Sequence, residues 1–243
     1  MTEAAFVVSD LHKSYAGAPV LRGVNLRVDA GCSFGFAGAN GAGKSTLLKC
    51  ALNFIHYERG DIRFFGISAR RREARMRLAF LPERFIPPYY LSGGQFLRMM
   101  MKLQGADFEQ KAAAEMLESL DMAPAALNKP VRSFSKGMTQ KIGLAACFLA
   151  GRDFYVFDEP MSGLDPKARA LVKRRLNELK ARGATIFFTS HALADIDEMC
   201  ERVAVLHDGN ICYEGKPADM RAAFAADTLE DAYLAAITRP KAG

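Results

Sequence analysis

The sequence predicts an α/β fold, and three observations support this prediction. Short apolar runs typical of strands occur in the first third of the chain and return after residue 152. Helical patterns lie between the later runs, an alternation typical of a parallel sheet. Residues 92–150 carry a helical pattern with long apolar faces. We therefore expect an α/β core that is interrupted by an inserted α-helical subdomain.

The predicted strands are apolar runs bounded by short polar turns. In chain order they lie at residues 4–8, 24–28, 32–37, 62–65, 78–81, 154–157, 185–189 and 203–206. Residues 211–214 follow Asp208-Gly209 and are expected to close a hairpin. Helical patterns are expected at residues 43–53, 92–150, 167–182 and from residue 217 onwards.

These elements divide a single domain, residues 1–243, into three parts. The core is expected to comprise residues 1–83 and 152–216. The helical subdomain occupies residues 84–151, and residues 217–243 form a C-terminal helical tail.

Composition narrows the possible classes of protein. Of the 243 residues, 50% are hydrophobic and 25% are charged, which is typical of a globular domain. The net charge of +6 is spread along the chain, so no nucleic-acid partner is expected. The five cysteines lack C-x-x-C spacing, which favours reduced thiols in a cytosolic protein. No signal peptide is expected, and residues 142–150, the longest apolar stretch, are too short for a membrane span of about 20 residues.

The strongest chemical signal is the run G-x-x-x-x-G-K-S, which predicts a phosphate-binding loop. Its glycines let successive N–H groups point at phosphates, and Lys44 adds a positive charge near the β- and γ-phosphates. The hydroxyl of Ser45 can ligate Mg²⁺. A strand pattern precedes the run and a helix follows it, as the motif requires. The predicted nucleotide-binding residues are Gly38, Asn40, Gly41, Ala42, Gly43, Lys44, Ser45 and Thr46.

An acidic pair follows the predicted strand at residues 154–157. A buried strand there would deliver Asp158 and Glu159 to the edge of the sheet where phosphate loops also gather. Asp158 is expected to hold Mg²⁺, and Glu159 to orient and deprotonate an attacking water.

The order of these motifs resembles the ATP-binding subunit of ABC transporters over nearly the whole chain. The run S-G-L-D-P, which contains Asp165, is similar to the D-loop of that family. His191 is similar to its switch histidine, and Tyr15 to the aromatic residue that stacks on adenine. The resemblance implies a P-loop NTPase (RecA-like) core with an N-terminal antiparallel β portion. It also implies roles in nucleotide binding for Tyr15 and Asp165, and a catalytic role for His191 beside Lys44 and Glu159.

Two segments compete for the family's signature motif. The literal string L-S-G-G-Q at residues 91–95 comes about ten residues after the strand that ends at Leu81, which is too early. We interpret it as a helix start with Ser92 as the N-cap. Residues 135–141 precede the acidic strand and resemble a signature variant common among exporters. Ser135 and Gly137 would therefore contact the γ-phosphate, although Lys136 and Met138 depart from the usual Gly and Gln.

Glu83 replaces the glutamine that the family usually places at the hinge between the core and the helical subdomain. It can accept a hydrogen bond from a metal-bound water but cannot donate as glutamine does. We expect Glu83 to contact the nucleotide and its metal. The apolar, aromatic segment after it is expected to dock a short helix of a membrane subunit, so the predicted docking region is residues 83–90.

The resemblance implies an ATPase that binds ATP and Mg²⁺ and works as a head-to-tail dimer, either of two identical chains or with a related subunit. It would power a separate integral membrane permease in export, and would be cytoplasmic and peripheral on the cytoplasmic face of the membrane. Three features resemble export-type systems of the ABC-2 class: the signature variant, Glu83 and the C-terminal run L-E-D-A-Y-L. The alternative is a non-transport ABC ATPase that serves cofactor assembly or a nucleic-acid-linked process.

Overall fold

The computed structural model describes residues 3–238 of the chain, so the ends of the predicted core and tail at residues 1–2 and 239–243 lie outside the described residues. The strands are β1 (Ala4–Tyr15), β2 (Ala18–Asp29), β3 (Ser33–Ala37), β4 (Arg59–Phe64), β5 (Ile67–Ser68), β6 (Leu78–Leu81), β7 (Phe154–Asp158), β8 (Thr185–Thr189), β9 (Arg202–His207) and β10 (Asn210–Gly215). The helices are α1 (Lys44–Ala51), α2 (Arg72–Arg75), α3 (Gly93–Gln104), α4 (Gln110–Ser119), α5 (Lys136–Leu149), α6 (Pro166–Ala181), α7 (Leu193–Met199), α8 (Pro217–Ala223) and α9 (Leu229–Thr238).

The strands form two sheets. The first is antiparallel, with the order β2-β1-β4-β5. The second has the order β10-β9-β3-β8-β7-β6, in which β9 to β6 are parallel and β10 pairs antiparallel with β9. The predicted hairpin after Asp208-Gly209 is therefore confirmed. The α/β fold with an N-terminal antiparallel portion is confirmed as well.

Two apolar cores hold these layers together. One lies between the two sheets, where Phe6 stacks on Phe64 with ring centroids 4.7 Å apart and contacts Phe187 edge-on. The other covers the opposite face of the parallel sheet with helices, around residues such as Leu144 and Phe157. The strands of the parallel sheet are thus buried on both faces, which explains why they read as continuous apolar runs in the sequence.

The helical segment lies within the predicted residues 84–151. It consists of α3, α4 and α5 together with two short 3-10 helices, Pro124–Asn128 and Val131–Ser133. α5 leads directly back to β7, and its Gly143 lies so close to Leu81 that an added Cβ would come within 2.7 Å of that side chain. This contact fixes α5 against the parallel sheet.

The first two strands are longer than the sequence predicts. β1 and β2 each span 12 residues, whereas the apolar pattern marks only residues 4–8 and 24–28. The pattern breaks where Asp10 adopts a positive φ of 47° and the register of β1 against β2 shifts between Val8 and Leu11. This bulge interrupts the alternation of apolar and polar residues, so the sequence pattern underestimates the length of the strands.

Candidate functional site

The loop between β3 and α1 depends on its glycines. A Cβ at Gly38 would lie 2.6 Å from the carbonyl oxygen of Leu206, and one at Gly43 would lie 2.9 Å from the Leu21 side chain. Gly41 and Gly43 have φ angles of 83° and 111°, a region that favours glycine. The backbone can therefore curl tightly in front of the first turn of α1, where N–H groups are free to bind an anion.

Lys44 is folded back over this loop. Its ammonium donates hydrogen bonds to the carbonyl oxygens of Gly38, at 2.6 Å, and Ala39, at 3.2 Å. Burial lowers the pKa of Lys44, and the neighbouring carboxylates, Glu159 foremost, oppose that shift. An anionic ligand in the loop would offer this cation a stronger partner than two neutral carbonyl groups.

Ser45 and Asp158 lie side by side at the ends of different elements. The Ser45 hydroxyl donates to one carboxylate oxygen of Asp158 at 3.3 Å, and the Thr189 hydroxyl donates to the other at 2.6 Å. Within residues 3–238 no group of three or more His, Cys, Asp or Glu side chains could hold a metal ion on its own. A pair of oxygen ligands nevertheless fits Mg²⁺, which commonly binds one or two protein oxygens together with waters and phosphates.

Thr189 is a site residue that the sequence reasoning missed. Its hydroxyl accepts a hydrogen bond from the backbone N–H of Glu159 at 3.1 Å while donating to Asp158. It is completely buried and stands opposite Asp158 in the parallel ladder. The sequence signal for it is weak: Thr189 is the polar residue at the end of a predicted strand, two residues before His191.

Glu159 and His191 form the second polar pair. The backbone N–H of His191 donates to Oε2 of Glu159 at 3.2 Å, and its Nε2 lies 3.4 Å from Oε1. Oε1 is buried and has no hydrogen-bond partner among residues 3–238. Burial raises the pKa of Glu159, and the electrostatic interaction with His191 and the hydrogen bond from its backbone N–H act against that shift. A carboxylate with one unsatisfied oxygen and a raised pKa is suited to accept a proton.

These groups surround one cavity of about 150 Å³. It contains one cation, Lys44, and three carboxylates, and it opens to solvent through His191 and the loop. The structure thus brings the phosphate loop together with the acidic pair, the histidine and the hinge glutamate. The lining residues are Ala39, Asn40, Gly41, Gly43, Lys44, Ser45, Thr46, Glu83, Asp158, Glu159 and His191.

Six of the predicted site residues do not line this cavity: Gly38 and Ala42, which belong to the phosphate loop itself, and Tyr15, Ser135, Gly137 and Asp165. Tyr15 ends β1 and is 45% exposed, with the Lys13 ammonium 5.1 Å from its ring centroid. Ser135 and Asp165 are N-caps, which accept hydrogen bonds from the backbone N–H groups of Met138 and Ala168. Gly137 belongs to the first turn of α5. Tyr15, Ser135 and Asp165 are exposed and Gly137 is half-buried, so a second molecule could reach this group of residues.

The literal string L-S-G-G-Q is embedded in the helical subdomain. Ser92 and Gln95 form a complete capping box at the start of α3, which confirms Ser92 as an N-cap. A Cβ at Gly93 would lie 2.5 Å from the carbonyl oxygen of Ala126. The glycine is therefore explained by the close approach of two backbones within the subdomain.

Comparison with known proteins agrees with this geometry. Residues 21–162 match the family described as ABC transporter. The chain belongs to this family. It is 35% identical over 224 residues to an uncharacterized ABC transporter ATP-binding protein of Nostoc sp., and 33% identical over 231 residues to the Nod factor export ATP-binding protein I of Rhizobium meliloti. Each alignment covers 88% of this chain, and 67% and 64% of the respective relative, so the chain spans about two thirds of their length.

Solved structures show the same fold. The ATP-binding subunit of an ABC transporter superposes with a TM-score of 0.86 and 30% identity, covering 96% of this chain and 99% of that one. A dimeric ATP-binding cassette bound to ADP and phosphate superposes with a TM-score of 0.79 and 21% identity, covering 87% of this chain and 98% of that one. The chain is thus an ATP-binding ATPase domain of the ABC family. None of the helices within residues 3–238 combines the length and the apolar character that crossing a bilayer requires.

Proposed function

We propose that this chain hydrolyses ATP to power a separate transmembrane permease, and that the transport is export. The observation that carries the proposal is the arrangement of Glu159 and His191 at one cavity with Lys44, Ser45 and Asp158. It places residues suited to phosphate binding, metal binding and proton acceptance around one cavity. Relatives whose names describe export, such as the Nod factor export protein, support the direction of transport.

The chemistry assigned to each side chain follows from its surroundings. Mg²⁺ would be held by the Ser45 hydroxyl and Asp158, and it would neutralise charge on the phosphates. Glu83, at the rim of the same cavity, would bind a water of that ion. The free Oε1 of Glu159 would take the proton of the attacking water, and His191 would stabilise the γ-phosphate beside it.

A second ABC subunit is needed to complete this site. Ser135 and Gly137 do not line the cavity of their own chain, and at the start of α5 Ser135 is exposed and Gly137 half-buried. In a head-to-tail dimer they would bind the γ-phosphate of the ATP held by the partner's phosphate loop. Asp165 and Tyr15 would lie near the nucleotide as well. Either a second copy or a related ATPase subunit fits this arrangement, and the dimeric cassette of similar fold supports it.

The segment after Glu83 is proposed as the permease contact. Ile86, Tyr89 and Tyr90 are 87%, 69% and 71% exposed, whereas Phe85 packs against Phe96 with centroids 5.6 Å apart. Three large apolar side chains in solvent on one short loop favour a protein partner. Docked there, the chain would sit on the cytoplasmic face of the membrane.

The test purifies tagged Glu159→Gln protein from its native membranes with ATP and Mg²⁺. We expect its rate of ATP hydrolysis to fall by about 100-fold or more, because general base catalysis contributes that much. We expect a protein with many membrane spans to copurify. An added Ile86→Asp substitution should remove that partner, and Leu103→Asp, at a residue that is 74% exposed in the helical subdomain, should not. Recovery of soluble partners alone would contradict the transport role.

A further inference from the structure

The side chain of Gln140 connects α5 to the segment that carries Glu159. Gln140 is 6% exposed, and its amide Nε2 donates to the carbonyl oxygen of Pro160 at 3.0 Å. The same nitrogen lies 3.5 Å from the carbonyl oxygen of Glu159. One buried side-chain amide therefore holds the two consecutive carbonyl groups around the proposed base.

The backbone of Glu159 is in an unusual conformation. Its φ of 55° lies in the left-handed region, which a residue with a side chain adopts only when its surroundings hold it there. On one side its N–H donates to Thr189. On the other side its carbonyl oxygen accepts from the N–H of Ser162 at 3.1 Å and faces the Gln140 amide. Gln140 thus contributes to the conformation that aims the Glu159 side chain at the cavity.

Gln140 shares its helix with Ser135, the residue proposed to bind the partner's nucleotide. It lies five residues after Ser135, on the same helix. The first turn of that helix also touches the loop after Glu159, because a Cβ at Gly163 would lie 2.9 Å from Cε of Lys136. The helix α5 therefore carries Ser135 at its start and contacts the backbone of Glu159 through Gln140.

We propose that Gln140 is a positioning residue for ATP hydrolysis, which holds the carbonyl groups of Glu159 and Pro160 so that the Glu159 carboxylate meets the attacking water. The inference rests on the proposed role of Glu159 as the base. It assigns no contact between Gln140 and ATP. A displacement of a catalytic group by about 1 Å can lower a rate 100-fold, so loss of this anchor should be visible in kcat.

The test replaces Gln140 with methionine, which keeps the length of the side chain but removes its donor. We expect kcat to fall by about 10-fold or more while the KM for ATP stays within about two-fold, because the phosphate loop is unaltered. The matched control is Gln110→Met at the exposed start of α4, which should leave both values unchanged. If the methionine variant does not fold, Gln140→Asn is used instead, because it keeps the amide on a side chain one methylene shorter. It should likewise lower kcat and leave the KM for ATP unchanged.

A double substitution separates positioning from a general structural role. In the Glu159→Gln background we expect Gln140→Met to cause no further loss in single-turnover hydrolysis, because both changes disable the same group. A further loss by the same factor in that background would overturn the inference. A raised KM with unchanged kcat, or wild-type kinetics of the folded Gln140 variant, would overturn it as well. If Glu159→Gln itself hydrolyses ATP normally, the proposed function fails instead, whatever Gln140 does.

Discussion

The first turns of α3 and α5 are built alike but face different parts of the molecule. Each begins with a serine whose hydroxyl accepts a hydrogen bond of 3.2 Å from the N–H three residues later. At α3 the Gln95 side chain returns a bond to the N–H of Ser92 at 2.8 Å, completing the capping box. At α5 the equivalent residue is Met138, which cannot return that bond. The helix with the complete family string is thus also the better capped one.

The two helix starts have similar caps but pack against different segments of the chain. α3 begins against residues 126–131, where Ser92 pairs with Pro130 in an isolated bridge. α5 begins beside the loop that follows Glu159, with Gly137 next to Gly163. Under our proposal that Ser135 binds the γ-phosphate, the position of a string relative to the acidic strand is a better guide to the nucleotide site than the string itself.

Removal of each serine hydroxyl should give the largest difference between the two helix starts. We expect Ser135→Ala to lower the rate of ATP hydrolysis by about 100-fold, the usual effect of losing one donor to a transition-state oxyanion. Ser92→Ala should leave the rate within about two-fold. Both variants lose an N-cap worth about 1 kcal/mol, so their melting temperatures should fall alike. Steady-state kinetics and thermal unfolding measure the two effects, and equal loss of hydrolysis in both variants would contradict the assignment.

Alanine in place of the first-turn glycines, Gly93 in α3 and Gly137 in α5, should affect stability more at α3 than at α5. We expect Gly93→Ala to destabilise the fold by about 1–3 kcal/mol, because its Cβ would meet the Ala126 carbonyl at 2.5 Å. In Gly137→Ala the added Cβ would lie 3.3 Å from the Gly163 carbonyl oxygen, a looser contact, and alanine favours the helix more than glycine does. The free energy of unfolding should therefore change by less than about 1 kcal/mol. Denaturant unfolding measures both values. A larger loss of stability in the Gly137 variant would reverse the comparison.

Site residues that belong to short sequence motifs could be predicted from the sequence. The phosphate loop and the acidic pair are short motifs, and each stands at the end of a buried apolar strand that the sequence also marks. Their meeting at one sheet edge follows from parallel pairing of β3, β8 and β7. The residue roles themselves remain predictions until they are tested by substitution.

Contacts between distant segments could not be predicted in the same way. The amide of Gln140 reaches residues 159 and 160 from another helix, and Thr189 bridges Asp158 and Glu159 from a neighbouring strand. The contact of Gln140 leaves no local pattern and that of Thr189 leaves only a polar residue at a strand end, because both contacts depend on how helix and sheet pack in three dimensions. The length of β1 and β2 was missed for a related reason, since the bulge at Asp10 becomes visible only once the strands are paired.

The most direct test of the account measures whether Ser135 completes the ATP site of a partner chain. Three proteins are compared by sedimentation velocity with and without ATP and Mg²⁺: Glu159→Gln, and the same variant with either Ser135→Ala or Ser92→Ala added. We predict an ATP-dependent dimer for Glu159→Gln and for its combination with Ser92→Ala, and a monomer for its combination with Ser135→Ala. Dimers that survive loss of Ser135 but dissolve on loss of Ser92 would contradict the account.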